Sequence, residues 1–363
     1  SINNAPNAMN AQVLDGGNNV QTYLGEVNMN PAVDAVEEFK VQTNTMSAEF
    51  GFTAGGVINL ATKSGTNSLH GTLYEFLRND KLDARRAFAV EKGVFRYNQF
   101  GASAGGPVIK DRTFFFGNWE KWIFRKAVPK IGTFPTLSQR QGDFSDLFDS
   151  RGRQVPIYDP ATTAPNPQGS GFIRLPFGGN RIPSNRLDPV ALNIQNFYPE
   201  PNRTPSDPFT NTNNYQRNAS EERSSQQFTF KVDHRLSNSN TLFGRYSRYG
   251  HTTDGGAPDV GTTGIYPDPV VSKRDDKLKN HNALLSDTHI FSPLLLNEFR
   301  LGLTRSTFPF QVRSFGGNWP QKLGFPPVVP NDTFPQISNG TPAFNTGTAG
   351  FRGSISWQIF DML

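Results

Sequence analysis

The sequence contains no cysteine, few charged residues and no long apolar segment. The absence of cysteine excludes disulfide bonds, cysteine-bound zinc and thiol catalysis. The longest apolar runs, such as Leu294–Leu296, are far shorter than the roughly 18 residues that a membrane-spanning helix needs. Charged residues make up 18% of the chain, and the densest basic run is only Arg85–Arg86. A nucleic-acid partner is therefore not expected.

The residues that are abundant favour strands and turns. The 363 residues include 31 Phe, 34 Gly and 27 Pro. Aromatic residues are enriched in strands, whereas Gly and Pro mark turns and interrupt helices. The composition therefore predicts a mainly β protein.

From about residue 68 the sequence reads as a series of strands with two different faces. In the clearest of them, Phe228, Phe230 and Val232 alternate with polar residues. Seven such segments can be counted, and Ser354–Phe360 would be an eighth. Each is about ten residues long, which is the length that a tilted strand needs to cross a bilayer.

The connections between these segments are alternately short and long. Short connections lie at 106–112, 237–240 and 292–293, and long ones at about 81–95, 127–225, 250–278 and 308–350. Tight turns at one end and long loops at the other are typical of outer-membrane barrels, whose long loops face the outside of the cell. The pattern therefore predicts a transmembrane antiparallel β-barrel, with a soluble β-sandwich as the alternative.

Residues 1–66 differ from the rest of the chain, because they are polar and rich in Asn and Gly. A short helical turn that passes into a strand is predicted near residues 35–43, and a second strand at Val57–Lys63. The sequence thus predicts a small α+β unit at 1–66, followed by barrel strands at 67–363.

Several short motifs follow one another between about residues 13 and 125. They are Leu14–Gly16, Val36–Thr43, Ala48–Gly51, Ala54–Asn67, His70–Asp80, Asn98–Gly101, Gly105–Pro107 and Lys110–Gly117. In this order they resemble TonB-dependent outer-membrane receptors of the Oar-like branch, whose members often carry a carboxypeptidase-regulatory-like domain.

This resemblance implies a plug domain seated inside a barrel. Residues 1–66 would be the C-terminal part of the plug, and 67–363 the first seven or eight of about 22 barrel strands. The chain is therefore expected to be a fragment without a TonB box. The plug positions to which the resemblance assigns a structural or gating role are Asp15, Gly16, Glu38, Phe39, Glu49, Phe50, Gly51, Gly55, Gly56, Asn59, Thr62 and Lys63.

Physical roles can be suggested for some of these plug residues. Gly55 and Gly56 would let the backbone approach the barrel wall closely. Val57 would fill the small core together with Ile58, and polar side chains such as Thr62 would satisfy buried backbone groups.

The function that the resemblance implies is the import of a large or scarce nutrient across the bacterial outer membrane. Three partners are expected. The first is the TonB–ExbB–ExbD complex, which opens the plug. The others are outer-membrane lipid and a nutrient such as an oligosaccharide, a peptide or a metal chelate. No catalytic residue, cofactor or metal ion is expected. The alternative function is that of a soluble or surface β-rich binding or adhesion protein without catalysis.

Other chemical motifs in the sequence do not support an enzyme or a metal site. Gly101–Gly105 fits the G-x-S-x-G pattern of serine hydrolases, but that motif needs a strand, a sharp turn and a helix. The following Gly106–Pro107 opposes a helix, and the alternation favours an extended segment. The five histidines show no metal-ligand spacing. Trp119 and Trp122 are predicted to lie at the membrane interface.

Overall fold

The computed structural model describes residues 10–21, 25–43, 55–84, 92–254, 265, 274–330, 333–335 and 350–363. The first of its sheets is a small four-stranded unit, which we call the plug sheet. Its strands are β1 (Ala11–Leu14), β2 (Gly17–Asn18), β3 (Val36–Gln42) and β4 (Val57–Thr62), in the order β2-β1-β4-β3. The pair β1–β4 is parallel, and a 3-10 turn at Val33–Ala35 leads into β3. The strand predicted at Val57–Lys63 corresponds to β4, and the predicted helical turn is a 3-10 turn; the described part of this unit contains no α-helix.

A second sheet, which we call the wall, contains eight antiparallel strands. The strands that follow the plug sheet are β5 (His70–Asn79), β6 (Phe95–Ile109), β7 (Thr113–Gly132), β8 (Ala164–Pro165), β9 (Phe172–Ile173), β10 (Tyr215–Ser237), β11 (Asn240–Asp254), β12 (Arg274–Ser292), β13 (Leu295–Val312) and β14 (Gly350–Met362). The short β8 and β9 form a separate ribbon. The others pair in chain order from β5 at one edge to β14 at the other, as a partial antiparallel barrel requires.

Seven of the eight wall strands are longer than the ten residues predicted; only β5 has that length. Strand β10 has 23 residues and β7 has 20. The prediction ended these strands where the apolar alternation stops, but their pairing continues from His234 opposite Thr113 to Tyr215 opposite Gly132. The connection between them consequently spans 133–214 rather than 127–225. The Gly106–Pro107 segment, predicted as a turn, also lies within a strand, β6.

The two faces of the wall have opposite chemical character. On the inner face, which is turned towards the plug sheet, polar side chains such as Lys231, Asn282 and Ser286 are buried. On the outer face Phe228 and Phe230 are exposed by 39% and 41%. Buried polar residues and exposed large apolar residues reverse the usual arrangement of a water-soluble protein. The outer face is therefore suited to an apolar surrounding.

The wall curves around the plug sheet. Asp34, in the 3-10 turn before β3, accepts hydrogen bonds of 2.5 Å from Thr72 on β5 and Ser103 on β6. Asn18 on β2 donates its backbone N–H to the side-chain oxygen of Gln358 on β14 at 2.7 Å. Because β5 and β14 are the two edges of the wall, contact of one small unit with both of them requires a curved sheet.

The long connections 133–214 and 313–335 pack against each other at one end of the wall, and we call the described part of them the cap. The cap contains the helices α1 (Leu137–Arg140), α2 (Pro189–Gln195) and α3 (Trp319–Leu323), and 3-10 turns at Pro160–Thr162, Gly178–Asn180 and Ser184–Arg186. Its apolar core consists of Phe134, Leu323 and Phe334, together with Tyr215 at the start of β10 and Ile265 from the connection between β11 and β12.

None of the helices in the described residues combines the length and the apolar character needed to span a membrane.

Candidate functional site

The candidate site is the interface between the plug sheet and the wall, and its centre is a two-residue turn. Leu14 and Gly17 pair in antiparallel register, so that Asp15 and Gly16 form the loop of the β1–β2 hairpin. Both loop residues have positive φ, 51° and 84°. Asp-Gly is a preferred pair for such a turn, because each position tolerates the left-handed conformation. The sequence thus makes a sharp turn that presents a carboxylate to the wall.

The Asp15 carboxylate is buried among plug and wall groups, which we call the Asp15 cluster (Asp15, Thr62, Lys231 and Arg245). Thr62 on β4 donates to it through its backbone N–H and its hydroxyl, both at 2.7 Å. Arg245 Nε on β11 lies 2.7 Å from Asp15 Oδ2, and Lys231 Nζ on β10 lies 3.8 Å from Asp15 Oδ1. The side chains of Asp15 and Arg245 are 5% and 0% exposed, so that water does not reach this ion pair.

Arg245 connects the plug backbone with the wall. Its Nη2 donates to the carbonyl oxygen of Leu14 at 3.2 Å and to the side-chain oxygen of Asn282 on β12 at 2.7 Å. Its Nη1 donates to the Ser247 hydroxyl at 2.9 Å. The Nε–H does not point at the Asp15 carboxylate, so this contact is an ion pair rather than an aligned hydrogen bond. The Arg245 side chain therefore contacts both the carboxylate and the backbone of the hairpin.

The rest of the hairpin is docked on β12, β13 and β14. The carbonyl oxygen of Asn18 accepts hydrogen bonds from Asn282 at 3.1 Å and from the Thr304 hydroxyl at 2.9 Å. Arg300 on β13 donates to the carbonyl oxygen of Gly16 at 3.4 Å. A Cβ atom at Gly16 would lie only 2.7 Å from the Arg300 guanidinium, so a larger residue would disturb this contact as well as the turn.

A second contact area joins the plug sheet to β5, β6 and β7. In addition to the hydroxyls of Ser103 and Thr72, Asp34 faces Lys63 Nζ at 3.7 Å. Burial raises the pKa of the Asp34 carboxyl, but hydrogen bonds from Ser103 and Thr72 and the charge of Lys63 lower it by more, so that the pKa lies below its ordinary value of 3.8. Asp34 is thus held in its charged form.

A close approach of backbone to the wall, of the kind predicted for Gly55 and Gly56, occurs at Gly65. A Cβ atom at Gly65 would lie 2.3 Å from the carbonyl oxygen of Phe115 and 2.6 Å from that of Gly106. The described contact of Gly56 is within the plug sheet, where its carbonyl oxygen accepts a hydrogen bond from Ala11 at 2.9 Å.

The other plug positions singled out from the sequence lie away from the Asp15 cluster. Asn59 pairs with Val13 and Lys40 inside the plug sheet. Glu38 and Phe39 on β3 are exposed, Phe39 by 69%. The remaining three, Glu49, Phe50 and Gly51, lie outside the described residues.

Sequence reasoning missed the wall residues Lys231, Arg245, Asn282 and Arg300. Along the chain, Lys231 and Arg245 are 216 and 230 residues away from Asp15, and each sits in an alternating strand in which a polar inward residue is expected anyway. Their only local signal is a positive charge on the inner face of a strand.

Above the plug sheet, towards the cap, the inner face carries a carboxylate and several aromatic rings. Glu120 accepts hydrogen bonds from Tyr74 at 2.8 Å, Gln99 at 2.8 Å and Gln227 at 2.6 Å. The ring of Trp122 lies 6.2 Å from that of Tyr97.

The two tryptophans of β7 point in opposite directions. Trp119 lies on the outer face opposite Phe228, whereas the Trp122 ring contacts that of His251 on the inner face, with centroids 5.5 Å apart. The interfacial position predicted for Trp122 is therefore wrong, because residues three apart on a strand face opposite sides.

The hydrolase-like motif does not form a nucleophile elbow. Gly101–Gly105 lies within β6 and pairs with β5 on one side and β7 on the other, as its alternation predicted. The Ser103 hydroxyl donates to Asp34 and contacts that of Thr72. Among the described residues, no group of three or more His, Asp or Glu side chains is arranged to hold a metal ion.

A curved antiparallel sheet with an apolar outer face and a polar inner face is the wall of an outer-membrane barrel. The family model described as "Outer membrane beta barrel domain" matches residues 61–361, and the chain belongs to this family. Its location is the bacterial outer membrane, and the alternative of a soluble β-sandwich is wrong.

Similar proteins are TonB-dependent receptors. The TonB-dependent transporter Oar of Myxococcus xanthus is 33% identical over 128 residues, which are 33% of this chain and 12% of that protein. The probable TonB-dependent siderophore receptor PirA of Acinetobacter baumannii is 33% identical over 100 residues, 27% of this chain and 12% of that protein. The predicted resemblance to TonB-dependent receptors is confirmed, and these relatives are transporters and receptors rather than enzymes.

Among solved structures, the ferric enterobactin receptor PfeA of Pseudomonas aeruginosa aligns with 98% of this chain and 38% of its own, at 12% identity and a TM-score of 0.45. The chain therefore spans well under half the length of this receptor and matches about an eighth of each curated relative.

Proposed function

We propose that this chain is part of a TonB-dependent receptor and that the Asp15 cluster holds the plug in its closed position. The observation that carries the proposal is the fully buried contact between Asp15 of the plug sheet and Arg245 of the wall. The plug residues singled out from the sequence would then divide into those that dock the plug, such as Asp15, Gly16 and Thr62, and those that build it.

A buried ion pair is suited to a plug that must be held firmly and yet released. Two opposite charges attract strongly where water is excluded, so the first separation of Asp15 from Arg245 meets a high barrier. Once water enters, both charges regain their hydration, and the net free-energy difference between the docked and released states is small. The cluster thus gives the closed state a long lifetime without making opening prohibitive.

The energy for this separation would come from the TonB–ExbB–ExbD complex, which in TonB-dependent receptors pulls on the plug. Opening then requires that the nutrient and the pulling force favour the released state over the docked one. The cap, together with Tyr97, Trp122, Tyr249 and His251 on the inner face, would receive the nutrient from outside. Flat rings suit a sugar, an aromatic chelator or a peptide, and the relation to PirA favours a metal chelate of the siderophore type.

Accessibility of a cysteine introduced beneath the plug tests the proposal, because these 363 residues contain none. Thr304 is 6% exposed and is covered by Asn18. In the Thr304→Cys variant, we expect a membrane-impermeant maleimide to label the thiol in energised cells supplied with candidate oligosaccharides, peptides and ferric chelates. Labelling should slow strongly when a protonophore is added or the TonB gene is deleted.

The matched control is Ser170→Cys, which lies exposed in the cap and should be labelled at the same rate under all conditions. If Thr304→Cys is labelled at the same rate with and without TonB, although the cells import the nutrient supplied, the proposal is contradicted.

A further inference from the structure

A cleft of about 550 Å³ lies on the outer face of the wall, across β7, β10, β11 and β12. Trp119, Phe228 and Tyr246 form its apolar side. Its basic side consists of Lys121, Arg248, Lys277 and Lys279. Gly250 pairs with Gln226 on one side and Lys279 on the other, and because it has no side chain it leaves the cleft open. We call this cleft the basic groove.

In the described part of the chain, the cations of the basic groove have no acidic partner. Arg248, Lys277 and Lys279 are exposed. Closer to the cap on the same face, Arg125 is paired with Glu222 at 2.8 Å. By contrast, within the described ranges no carboxylate lies in ion-pair distance of the four groove cations. A cluster of like charges on adjacent strands is unfavourable unless an anion from outside the chain compensates it.

The sheet register extends this basic surface to β13. Arg248 lies opposite His281, and His281 lies opposite Arg305, which is also exposed. Cross-strand neighbours on one face have Cβ atoms about 5 Å apart. Three adjacent strands therefore present basic groups at the spacing of one or two phosphate groups.

The groove lies at the boundary between an apolar band and the cap. Next to it, in the direction of the short turns, the outer face carries Phe230, Tyr246 and Leu285, which are exposed by 41%, 41% and 43%. In an outer-membrane barrel this band contacts lipid chains, and the end with the long connections faces the outer leaflet. Further towards the turns, the outer-face charge on β12 is acidic, Asp287. The groove cations thus lie at the level of the outer headgroups.

We propose that the basic groove binds the phosphorylated headgroup of an outer-leaflet lipid, whose acyl chains lie along the apolar band. Arg248 can hold two phosphate oxygens at once, and the lysines supply further point charges. Trp119 and Tyr246 are ring types that favour the boundary between lipid chains and headgroups. The proposal depends on the outer-membrane location of the wall and is independent of plug opening.

Native mass spectrometry of the protein, purified in detergent from outer membranes, tests the groove with diphosphoryl lipid A as the probe. We expect the Arg248→Gln/Lys279→Gln variant to bind this probe about 30-fold more weakly than the wild type. This factor corresponds to about 1 kcal/mol for each of the two cations near an anionic lipid surface. A second pair in the same groove, Lys121→Gln/Lys277→Gln, should lose affinity to a similar extent.

Two control variants separate the groove from general charge effects. Arg248→Lys/Lys279→Arg keeps both charges and should bind within about threefold of the wild type. Lys110→Gln/Arg112→Gln removes two exposed cations from the turn at the opposite end of the wall and should leave binding unchanged. The migration of unheated samples on SDS gels, where a folded barrel runs differently from an unfolded one, verifies that each variant is folded.

Three results would overturn the proposal. The first is wild-type affinity in both groove variants, and the second is equal weakening in the Lys110/Arg112 control. The third concerns the ligand itself: phosphatidylcholine or inorganic pyrophosphate that binds as tightly as diphosphoryl lipid A would show that the groove does not select a phosphorylated lipid.

Discussion

Replacement of Arg245 by Met tests the role of the Asp15 cluster directly. Met has a similar length but no charge and no hydrogen-bond donors. The substitution would leave the Asp15 carboxylate buried, with Lys231 at 3.8 Å as its nearest remaining cation. It would also remove the donors to the carbonyl oxygen of Leu14 and the side-chain oxygen of Asn282. The expected effect is a destabilised docked plug.

The magnitude follows from the cost of an unpaired buried charge. Removal of one partner of a buried ion pair costs about 3–5 kcal/mol. Because Lys231 still compensates part of the charge, and Thr62 still donates two hydrogen bonds to Asp15, we expect about 3 kcal/mol. This free energy lowers the ratio of docked to released plug by somewhat more than a hundredfold.

The measurement is a urea titration of purified Thr304→Cys protein, in which maleimide labelling reports exposure of the wall beneath the plug. Arg245→Met in this background should shift the labelling midpoint to lower urea. Arg248→Met is the matched control, since it lies on the same strand but on the outer face, and it should not shift the midpoint.

A double-mutant cycle makes the test specific for the ion pair. Asp15→Asn and Arg245→Met should each destabilise docking, and the double variant should cost clearly less than the sum, with a coupling of about 1–3 kcal/mol. Purely additive effects, or equal midpoints for Arg245→Met and Arg248→Met, would refute the argument that this pair holds the plug.

Three further predictions concern other parts of the interface and the cap. Gly65→Ala would force a Cβ atom against backbone oxygens of β6 and β7, so we expect docking to weaken by about 1–3 kcal/mol in the urea titration. The control Gly178→Ala has no atom within 4 Å of the new Cβ and should behave as wild type. Because the pKa of Asp34 is lowered in the folded state, its contribution to docking is complete above the unfolded pKa near 4 and is lost as the pH falls through the folded pKa. Asp34→Asn should therefore reduce the pH dependence of docking below about pH 4. An acid profile of docking that is the same in the variant and the wild type would contradict this. Phe134→Ala removes a ring that is 2% exposed from the cap core, at a cost of about 3–5 kcal/mol, and should speed cleavage of the cap by external protease on intact cells, while Phe172→Ala, 75% exposed, should not.

The alternation of the wall strands was the part of the fold that the sequence could predict best. Phe228, Phe230 and Val232 alternate with polar residues, and the structure places this apolar set on the outer face. The half of β10 that is nearer the cap, Tyr215–Ser225, has polar side chains on both faces and therefore shows no alternation of apolar and polar residues. Its strand state is set by pairing with β7 and β11, which lies beyond local sequence reasoning.

The candidate site could be predicted only on its plug side. Asp15–Gly16 is recognisable because an Asp-Gly pair directly after the apolar Val13–Leu14 favours a tight turn. Nothing close to Arg245 in the sequence distinguishes it from Arg248 three residues later, although the first is buried and the second exposed. Only the parity of the strand, combined with knowledge of what occupies the inner side, separates a plug contact from a lipid-facing cation.

The parallel pairing of β1 with β4 has a mechanical consequence. Ala11 pairs with Val57 and Leu14 with Leu60, so the strands start side by side, and the chain leaves β4 at its far end towards the wall. Tension applied before Ala11 and resisted beyond Thr62 would therefore load all rungs of this pair in shear at the same time, instead of opening them one after another. Under such a load the sheet would be expected to leave its seat as a unit, with the contacts to the surrounding strands giving way before its own ladder does.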